Sequence, residues 1–306
     1  MIDPHPTSSL SREVRNRVVI QRNPTSGTGR GARQIHVMVR ELKALGYRLR
    51  LFADRQRLDD FLAHPEIRTE VRCLVAAGGD GTIASLINRH ADLPIATLPL
   101  GTENLVARYL KIPRCGRTVA RMVHQHHTRR FDTAFIDEQR FLVMASCGVD
   151  AEVVRQLTFT RTGNISHLSY VRPILLSFLR YRFPEISVCG QDGKLLARGS
   201  HVIVTNIPEY GFHMPFCPNA DPHDGLLDVR VFRTAGMFAT AVHAVRTRLG
   251  RADRTSDVLR FTTTEVTLTS ENTSVAVQCD GDPAPCCPVT IRVEPDSMQL
   301  VVPEPR

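Results

Sequence analysis

Three short glycine-containing segments each follow an apolar run, and together they have the composition of a phosphate-binding site. They are Asn23-Pro24-Thr25-Ser26-Gly27-Thr28-Gly29, Gly78-Gly79-Asp80-Gly81-Thr82 and Pro99-Leu100-Gly101-Thr102-Glu103-Asn104. Glycine permits positive φ and lets phosphate oxygens approach backbone N–H groups that a side chain would cover. Because open α/β sheets bind ligands at the carboxyl ends of their strands, three such turns predict one nucleotide site.

Asp80 lies between Gly79 and Gly81 at a predicted strand-to-helix turn. The run Leu74 to Ala77 is apolar, and Thr82 to Ile87 has helical spacing. A carboxylate at this turn is ionised at neutral pH and can hold Mg²⁺ against a phosphate or orient a phosphate acceptor. The alternative is that Asp80 only caps the helix, and the presence of the other two loops favours the functional interpretation.

Carboxylates at other predicted loop edges are candidates for phosphoryl transfer. This reaction needs an acceptor hydroxyl in line with a γ-phosphate, a carboxylate to take its proton and Mg²⁺ to neutralise the oxygens. The candidates are Asp80, Asp132, Asp280 and Asp282. Asp280 and Asp282 lie in an Asp-Gly-Asp-Pro sequence, so a purely structural turn is the alternative there.

Seven short segments follow one another in a fixed order along the chain: Asn23 to Gly27, Gly78 to Thr82, Pro99 to Arg108, Phe131-Asp132-Thr133-Ala134, Gly148 to Val153, Asp224 to Val229 and Asp280-Gly281-Asp282-Pro283. In this order they resemble the diacylglycerol kinase catalytic-domain superfamily, which includes bacterial lipid kinases, sphingosine kinases and ceramide kinase. The resemblance runs from about Val18 to Val302. Seven segments in order are far more specific than any one of them.

The resemblance implies an ATP-dependent lipid kinase that brings Mg²⁺-ATP and a lipid hydroxyl, of diacylglycerol or a related lipid, into a cleft between two domains. Asp282 takes the position of the family's proposed general base, and Asp132 and Asp280 would form an acidic network with Asp80. The nucleotide-binding residues it implies are Asn23, Thr25, Ser26, Gly27, Gly78, Gly79, Asp80, Gly81, Thr82, Gly101, Thr102 and Asn104.

The resemblance also implies a structural Mg²⁺ loop at Asp224, with Leu226 and Asp221 as weaker members. In such a loop one carboxylate and backbone carbonyl oxygens bind a hard cation. A polar turn before the next predicted strand is the alternative.

Two positions depart from the family pattern. The family has Glu where this chain has Asp282, which keeps the carboxylate but shortens its reach by one methylene. The family usually has Asp where this chain has Leu105, and an apolar side chain cannot join a carboxylate and water network around Mg²⁺. Glu103 would compensate only if it turned inward. These departures motivate the alternative of a catalytically silent nucleotide- or lipid-binding regulatory protein.

A second alternative is NAD kinase, which also uses Gly-Gly-Asp-Gly-Thr. The Asn-Pro-x-Ser-Gly segment beginning at Asn23 and the Gly-Thr-x-Asn segment beginning at Gly101 disfavour it.

Composition excludes several other classes of protein. The hydrophobic fraction of 42%, with 19 Gly and 19 Pro, excludes a disordered or fibrous chain. No apolar stretch reaches the roughly 18 residues of a membrane-spanning helix, and Met1 to Arg17 lacks the apolar core of a signal peptide. The eight cysteines show no Cys-x-x-Cys pairing, which predicts reduced thiols in a cytoplasmic protein.

The net charge of +8 favours anionic partners. The arginines lack the aromatic interleaving of a single-strand binder, so we expect no nucleic-acid partner. The stretch Leu168 to Arg182 has apolar residues at helical spacing with arginines between them. It predicts either peripheral association with an anionic membrane or ordinary core packing. A homodimer is compatible with the sequence.

The elements that must position these residues change in type along the chain. Residues 1–135 alternate strand and helix, which predicts a Rossmann-like nucleotide-binding α/β domain with a parallel-rich sheet. Residues 136–294 contain short Val- and Thr-rich runs separated by turns, which predicts an antiparallel β-sandwich-like domain for the lipid substrate. We expect residues 295–306 to pack back on the first domain.

Overall fold

The computed structural model describes residues 15–23, 30–160, 181–208, 214, 216–250, 255–271 and 275–304. Numbered in chain order within these residues, the strands are β1 (Arg17–Arg22), β2 (Arg48–Phe52), β3 (Val71–Gly78), β4 (Ile95–Pro99), β5 (Thr128–Ile136), β6 (Gln139–Phe141), β7 (Met144–Cys147), β8 (Ile186–Gly190), β9 (Leu195–Gly199), β10 (His201–Thr205), β11 (Leu227–Phe232), β12 (Val258–Thr263), β13 (Glu265–Thr269), β14 (Val277–Cys279), β15 (Asp282–Ala284) and β16 (Val289–Val301). The helices are α1 (Arg30–Ala44), α2 (Arg55–Leu62), α3 (Pro65–Glu70), α4 (Asp80–His90), α5 (Leu105–Tyr109), α6 (Gly116–Gln125), α7 (Val149–Thr160) and α8 (Met237–Arg248).

The first half of the chain builds parallel pairs in the order β2-β1-β3-β4. The runs Val18 to Ile20 and Cys73 to Ala77 are fully buried, as expected for strands covered by helices on both faces. Val18 and Ile20 pack with α1 and α6, whereas Val19 packs on the opposite face with α2 and α4. The period of two along β1 therefore divides the core into two layers.

The second half forms a sandwich of two sheets. A six-stranded antiparallel sheet has the order β12-β11-β10-β7-β14-β15. Its inner side chains, among them Val204, Val229 and Val277, pack against Val188, Val266 and Ile291 of the facing sheet. The predicted fold class, a parallel-rich α/β half followed by an antiparallel sandwich, is confirmed.

Strand β16 connects the two halves. Its first residues pair antiparallel with β13, most of its length pairs antiparallel with β5, and Leu300 pairs parallel with Ile95 of β4. The register shifts between Glu294 and Met298, where Asp296 has a φ of 50°. One strand thus belongs to the sandwich at one end and lies beside the parallel strands at the other.

One of the Val- and Thr-rich runs of the second half, Val258 to Leu268, reads as a single strand in the sequence, and that prediction is wrong. The chain forms β12 and β13, which belong to different sheets. At the break the Thr263 hydroxyl donates to the carbonyl of Glu265 at 2.8 Å. A β-branched run reports a tendency to be extended and carries no information on where the chain changes sheets. Most of the predicted helix from Leu168 to Arg182 lies outside the described residues.

Candidate active site

Hydrogen bonds join the carboxyl ends of β1, β3 and β4. The N–H of Asn23 donates to the carbonyl of Ala77 at 3.2 Å, which connects the end of β1 to the end of β3. The N–H groups of Leu100 and Gly101 donate to the carbonyl of Gly78 at 2.8 and 3.3 Å. The second and third predicted loops are therefore adjacent, and the first begins beside them. Three predicted residues of the first loop lie outside the described residues: Thr25, Ser26 and Gly27.

Gly79 and Gly101 approach each other too closely for any side chain. A Cβ atom on Gly101 would lie 2.5 Å from the Cα of Gly79, and one on Gly79 would lie 3.2 Å from the Cα of Gly101. Asn104 closes the Gly101 turn, because its side chain accepts from the N–H and donates to the carbonyl of Gly101, both at 2.8 Å. Glycine is required here for close backbone approach, which leaves bare backbone facing the space beyond the strand ends.

Two threonines of these loops differ in their surroundings. Thr82 is buried, and a Cβ atom on Gly78 would lie 2.1 Å from its hydroxyl oxygen, so that residue 78 must also be glycine. Thr102 is exposed at the tip of the third loop.

We predict that Gly101→Ala lowers the free energy of unfolding by about 1–3 kcal/mol, the usual cost of forcing an extra methyl group into a filled space. Urea unfolding measures this change. The matched control is Gly31→Ala in α1, where the new Cβ would lie 3.7 Å from the Leu100 side chain, an ordinary contact. Because alanine is the better helix former, the control should be neutral or stabilising. Equal stability losses in both variants would contradict the close-approach interpretation.

The Asp80 carboxylate is the first side chain of α4 and binds the start of α5. Its two oxygens accept the N–H groups of Leu105 at 2.9 Å and Val106 at 3.1 Å. Burial raises the pKa of Asp80, the two N–H donors lower it, and the nearby Glu103 charge raises it again. Asp80 therefore ties the second loop to the third and places negative charge between them.

Leu105, the position that departs from the family pattern, contributes to this arrangement through its backbone. Its N–H is a donor to Asp80, and its side chain packs on the hydrophobic core beneath α4. Glu103 lies close enough to Asp80 to influence its pKa and also lies 3.7 Å from the Arg108 guanidinium. A carboxylate is thus present near Asp80 despite the leucine.

Asp280, in the second half of the chain, holds the segment from Leu142 to the start of β7 in place. Its carboxylate accepts the N–H groups of Leu142, Val143 and Met144 at 2.8, 2.8 and 3.0 Å. Burial raises the pKa of Asp280 to about 6, the three donors oppose this shift, and the Asp80 charge adds to it. Asp80 and Asp280 are therefore electrostatic neighbours although 200 residues separate them in the chain.

The raised pKa of Asp280 predicts a pH-dependent contribution to stability. A carboxyl whose folded pKa of about 6 exceeds its ordinary value of 3.8 stabilises the fold fully below the lower value. That stabilisation is lost as the pH rises through the folded pKa. Wild type should therefore exceed Asp280→Asn in unfolding free energy by more at pH 5 than at pH 7.5, by on the order of 1 kcal/mol. Urea titrations at both pH values measure the gap, and a gap that widens with pH would contradict the prediction.

Asp282 follows Asp280 in the same turn and faces the start of α4. Its Oδ2 lies 4.0 Å from the position that a Cβ atom on Gly81 would occupy. Asp282 and Gly81 are both exposed. The geometry places a solvent-accessible carboxylate from the sandwich opposite the glycine turn of the parallel half.

Comparisons with known protein families cover both halves of the chain. The model of the diacylglycerol kinase catalytic domain matches residues 17–136, and the model of the YegS C-terminal NAD kinase beta sandwich-like domain matches residues 143–302. The chain belongs to the diacylglycerol kinase family of lipid kinases.

Individual relatives and solved structures agree with this placement. A diacylglycerol kinase of Mycobacterium tuberculosis is 26% identical over 310 residues, which cover 96% of this chain and 97% of the relative. A probable YegS-like lipid kinase of Serratia proteamaculans is 24% identical over 71% of this chain and 74% of its own. A Bacillus anthracis diacylglycerol kinase structure has a TM-score of 0.70 at 20% identity, covering 94% of this chain and 97% of that one.

The yeast NADH kinase structure complexed with NADH shares the fold only. Its TM-score is 0.52 at 11% identity, covering 95% of this chain and 83% of that one.

Behind the Asp282 turn of this lipid kinase runs a chain of polar side chains that the sequence analysis missed. The N–H of Gly281 donates to Gln278 Oε1 at 3.0 Å, and Gln278 Nε2 donates to Ser146 Oγ at 2.7 Å. Ser146 donates to Asp150 Oδ2 at 2.5 Å, and His201 Nε2 lies 2.9 Å from Asp150 Oδ1. The sequence analysis pointed to this chain of side chains only through the Gly148 to Val153 segment, which contains Asp150. The other residues of the chain are far apart in sequence.

Asp132 has partners different from those of Asp80 and Asp280. Its carboxylate accepts the N–H of Gly225 and the N–H of Asp296, both at 2.8 Å. These bonds tie β5 to the loop before β11 and to the irregular part of β16. The contacts of Asp132 are those of a buried structural carboxylate, and its membership of the acidic network stays a prediction.

The predicted Mg²⁺ loop forms a tight turn. Asp224 Oδ1 accepts the N–H of Leu226 at 2.9 Å, and the Asp224 N–H lies 3.4 Å from the carbonyl oxygen of Asp221. Within the described ranges no group of three histidine, cysteine, aspartate or glutamate side chains has a metal-binding arrangement. A cation held by one carboxylate and backbone carbonyls in this loop therefore stays a prediction.

Proposed function

We propose that this lipid kinase transfers the γ-phosphate of ATP to a hydroxyl of diacylglycerol or a related lipid, in the cleft between residues 1–135 and 136–294. The observation that carries the proposal is the position of Asp282 opposite Gly81. At this position the Asp282 carboxylate of the second half of the chain faces the glycine turns of the first half.

The glycine turns suit the phosphates of ATP. Gly79, the residue before α4, provides no side-chain cap, and a phosphate oxygen would take that place at the start of the helix. The helix dipole adds to this attraction. The bare backbone at Gly79 and Gly101 lets phosphate oxygens come within hydrogen-bond distance.

Asp282 would accept the proton in the transfer. The lipid hydroxyl oxygen forms a bond to the γ-phosphorus, the bond from that phosphorus to the bridging oxygen of ADP breaks, and the hydroxyl proton passes to the Asp282 carboxylate. The turn that carries Asp282 is held by Asp280 and by Gln278, which limits its movement during the reaction. Asp280 and Gln278 act as positioning residues.

Mg²⁺ fits this site as a companion of the nucleotide. Such ions keep several waters and bind through one or two carboxylates plus phosphates rather than through a protein cage. Asp80 and the nearby Glu103 are the carboxylates that would hold it. When bound, Mg²⁺ neutralises charge on the phosphate oxygens.

Incubating the purified protein with γ-labelled ATP, Mg²⁺ and a total lipid extract tests the proposal. Label should appear in a lipid product, and its chemical identity names the substrate. NAD serves as the competing acceptor. Labelled NADP without labelled lipid would overturn the proposal, and a thermal shift with ATP but no turnover across a broad lipid panel would favour the silent binding protein.

A further inference from the structure

Helix α8 presents an apolar stripe to solvent. Phe238 is 85% exposed, Val245 is 58% exposed and Leu249, at the C-cap, is 61% exposed. At 3.6 residues per turn these three side chains fall within an arc of about 40°. The other large apolar side chains that are exposed in the described parts of the chain are all at or below 45%.

The opposite side of α8 is fixed to the protein. His243 and Thr247 are buried, and they lie roughly 140° and 180° around the helix from Phe238. His243 Nε2 lies 2.6 Å from Asp257 Oδ2, and its ring contacts Phe232 edge-on. The polar inner face therefore anchors the helix, and the apolar face points outward, which reverses the usual pattern for a helix on a soluble protein.

Positive charge borders the stripe on both sides. Arg246 and Arg248 are exposed and lie about 80° to either side of Phe238 around the helix. The sequence from Val231 to Gly250 contains three arginines and no aspartate or glutamate. An apolar stripe between cations matches a bilayer surface with anionic headgroups, because the apolar side chains enter the headgroup boundary while the guanidinium groups bind phosphates.

We propose that α8 is a membrane-docking helix that binds anionic bilayers through Phe238, Val245 and Leu249, with Arg246 and Arg248 on headgroup phosphates. This rests on the proposed function only in that a lipid kinase must reach a substrate held in a bilayer. It assigns membrane contact to a helix that the sequence analysis did not single out for it. Among the described residues no helix is long and apolar enough to cross the bilayer, which agrees with docking at the surface.

The chain contains no tryptophan, so Phe238→Trp creates a single fluorescent reporter on the stripe. Adding phosphatidylglycerol vesicles, without ATP, should shift the emission of this tryptophan to the blue. The size of this shift should decrease as the salt concentration rises. The matched control is Leu196→Trp, because Leu196 is also an exposed apolar residue, at 44%, on strand β9. A blue shift of equal size in both variants, or none at position 238, would overturn the proposal.

Sedimentation with the same vesicles measures the affinity of the chain without a reporter. Phe238→Ser should weaken binding by about tenfold or more, and Arg246→Ser or Arg248→Ser by about fivefold each. Arg40→Ser, at an exposed arginine of α1, is the control for charge and should have a smaller effect. Equal losses in all four variants would overturn the assignment to α8.

Two further measurements distinguish membrane docking by α8 from a dimer interface at the stripe and from a failure of the proposed function. If analytical ultracentrifugation shows a dimer that Phe238→Ser dissociates, with no vesicle binding by wild type, a second copy covers the stripe and the proposal is wrong. Phe238→Ser should keep wild-type turnover of a short-chain diacylglycerol dissolved in water and lower turnover of a long-chain diacylglycerol in vesicles by about tenfold. Lack of turnover on both by wild type would refute the proposed function while leaving the vesicle-binding result intact.

Discussion

Asp282→Asn should lower the rate of lipid phosphorylation by roughly 10²- to 10⁴-fold, the usual contribution of a positioned general base. The exchange keeps the shape of the side chain and removes the proton acceptor. ATP affinity should change little, because the nucleotide loops belong to the other half of the chain. Turnover with labelled ATP and nucleotide binding by calorimetry measure the two quantities separately.

Two further variants test the role of Asp282: a control at Asp192 and a second substitution at Asp282 itself. Asp192 also lies in a hairpin turn, where its carboxylate accepts the N–H of Lys194 at 3.0 Å, and Asp192→Asn should leave turnover unchanged. Asp282→Glu restores the side chain that the family resemblance implies. A faster variant would mean that the shorter aspartate limits the rate, and a slower one that the site has adapted to it. Near wild-type turnover in Asp282→Asn would show that the base is another group.

Asp80→Asn should reduce turnover by about 10²-fold or more, because it removes the negative charge from the junction of the two glycine loops. Asparagine retains one oxygen that can accept from Leu105 or Val106, so the fold should persist with a stability loss of about 1–2 kcal/mol for the lost charged bond. Steady-state kinetics and urea unfolding measure both effects. Full activity would remove Asp80 from the mechanism.

The matched control for Asp80 is Asp54, which caps α2. The Asp54 carboxylate accepts the N–H of Arg57 at 3.0 Å, so it makes the same kind of bond to a helix start away from the cleft. Asparagine is as good a cap as aspartate, and Asp54→Asn should therefore change neither stability nor turnover appreciably. A similar loss of activity in both variants would indicate that the effect of Asp80→Asn is general weakening of the fold.

Much of the site could be predicted because glycine and short polar side chains report local backbone geometry. The pairs Gly78 with Thr82 and Gly101 with Asn104 lie within four residues of each other, and their contacts follow from the turn itself. The alternation of predicted strands and helices likewise predicted the parallel sheet of the first half. The close approach of Gly79 to Gly101 depends on β3 and β4 being neighbours in the sheet. The alternation of strands and helices in the sequence does not determine which strands are neighbours.

The structure gives the Asp80 carboxylate a capping role, and its role in the chemistry stays a prediction. The carboxylate does bind backbone N–H groups at a helix start, but that helix is α5, 25 residues away, rather than the one it begins. A bond of this kind between loops cannot be predicted from the turn around Asp80, because its partner depends on how β4 returns beside β3.

The sequence by itself determined the family, the fold class and the candidate residues, because ordered motifs and hydrophobic periodicity are properties of the local chain. Tertiary structure alone decided that the Asp80 charge acts on Asp280, that Asp282 lies opposite Gly81, that Asp132 has other partners, and that the apolar face of α8 points to solvent. Each of these depends on contacts between segments far apart in the chain. Such contacts are selected by the packing of whole sheets and helices, which the residue types at either end do not specify.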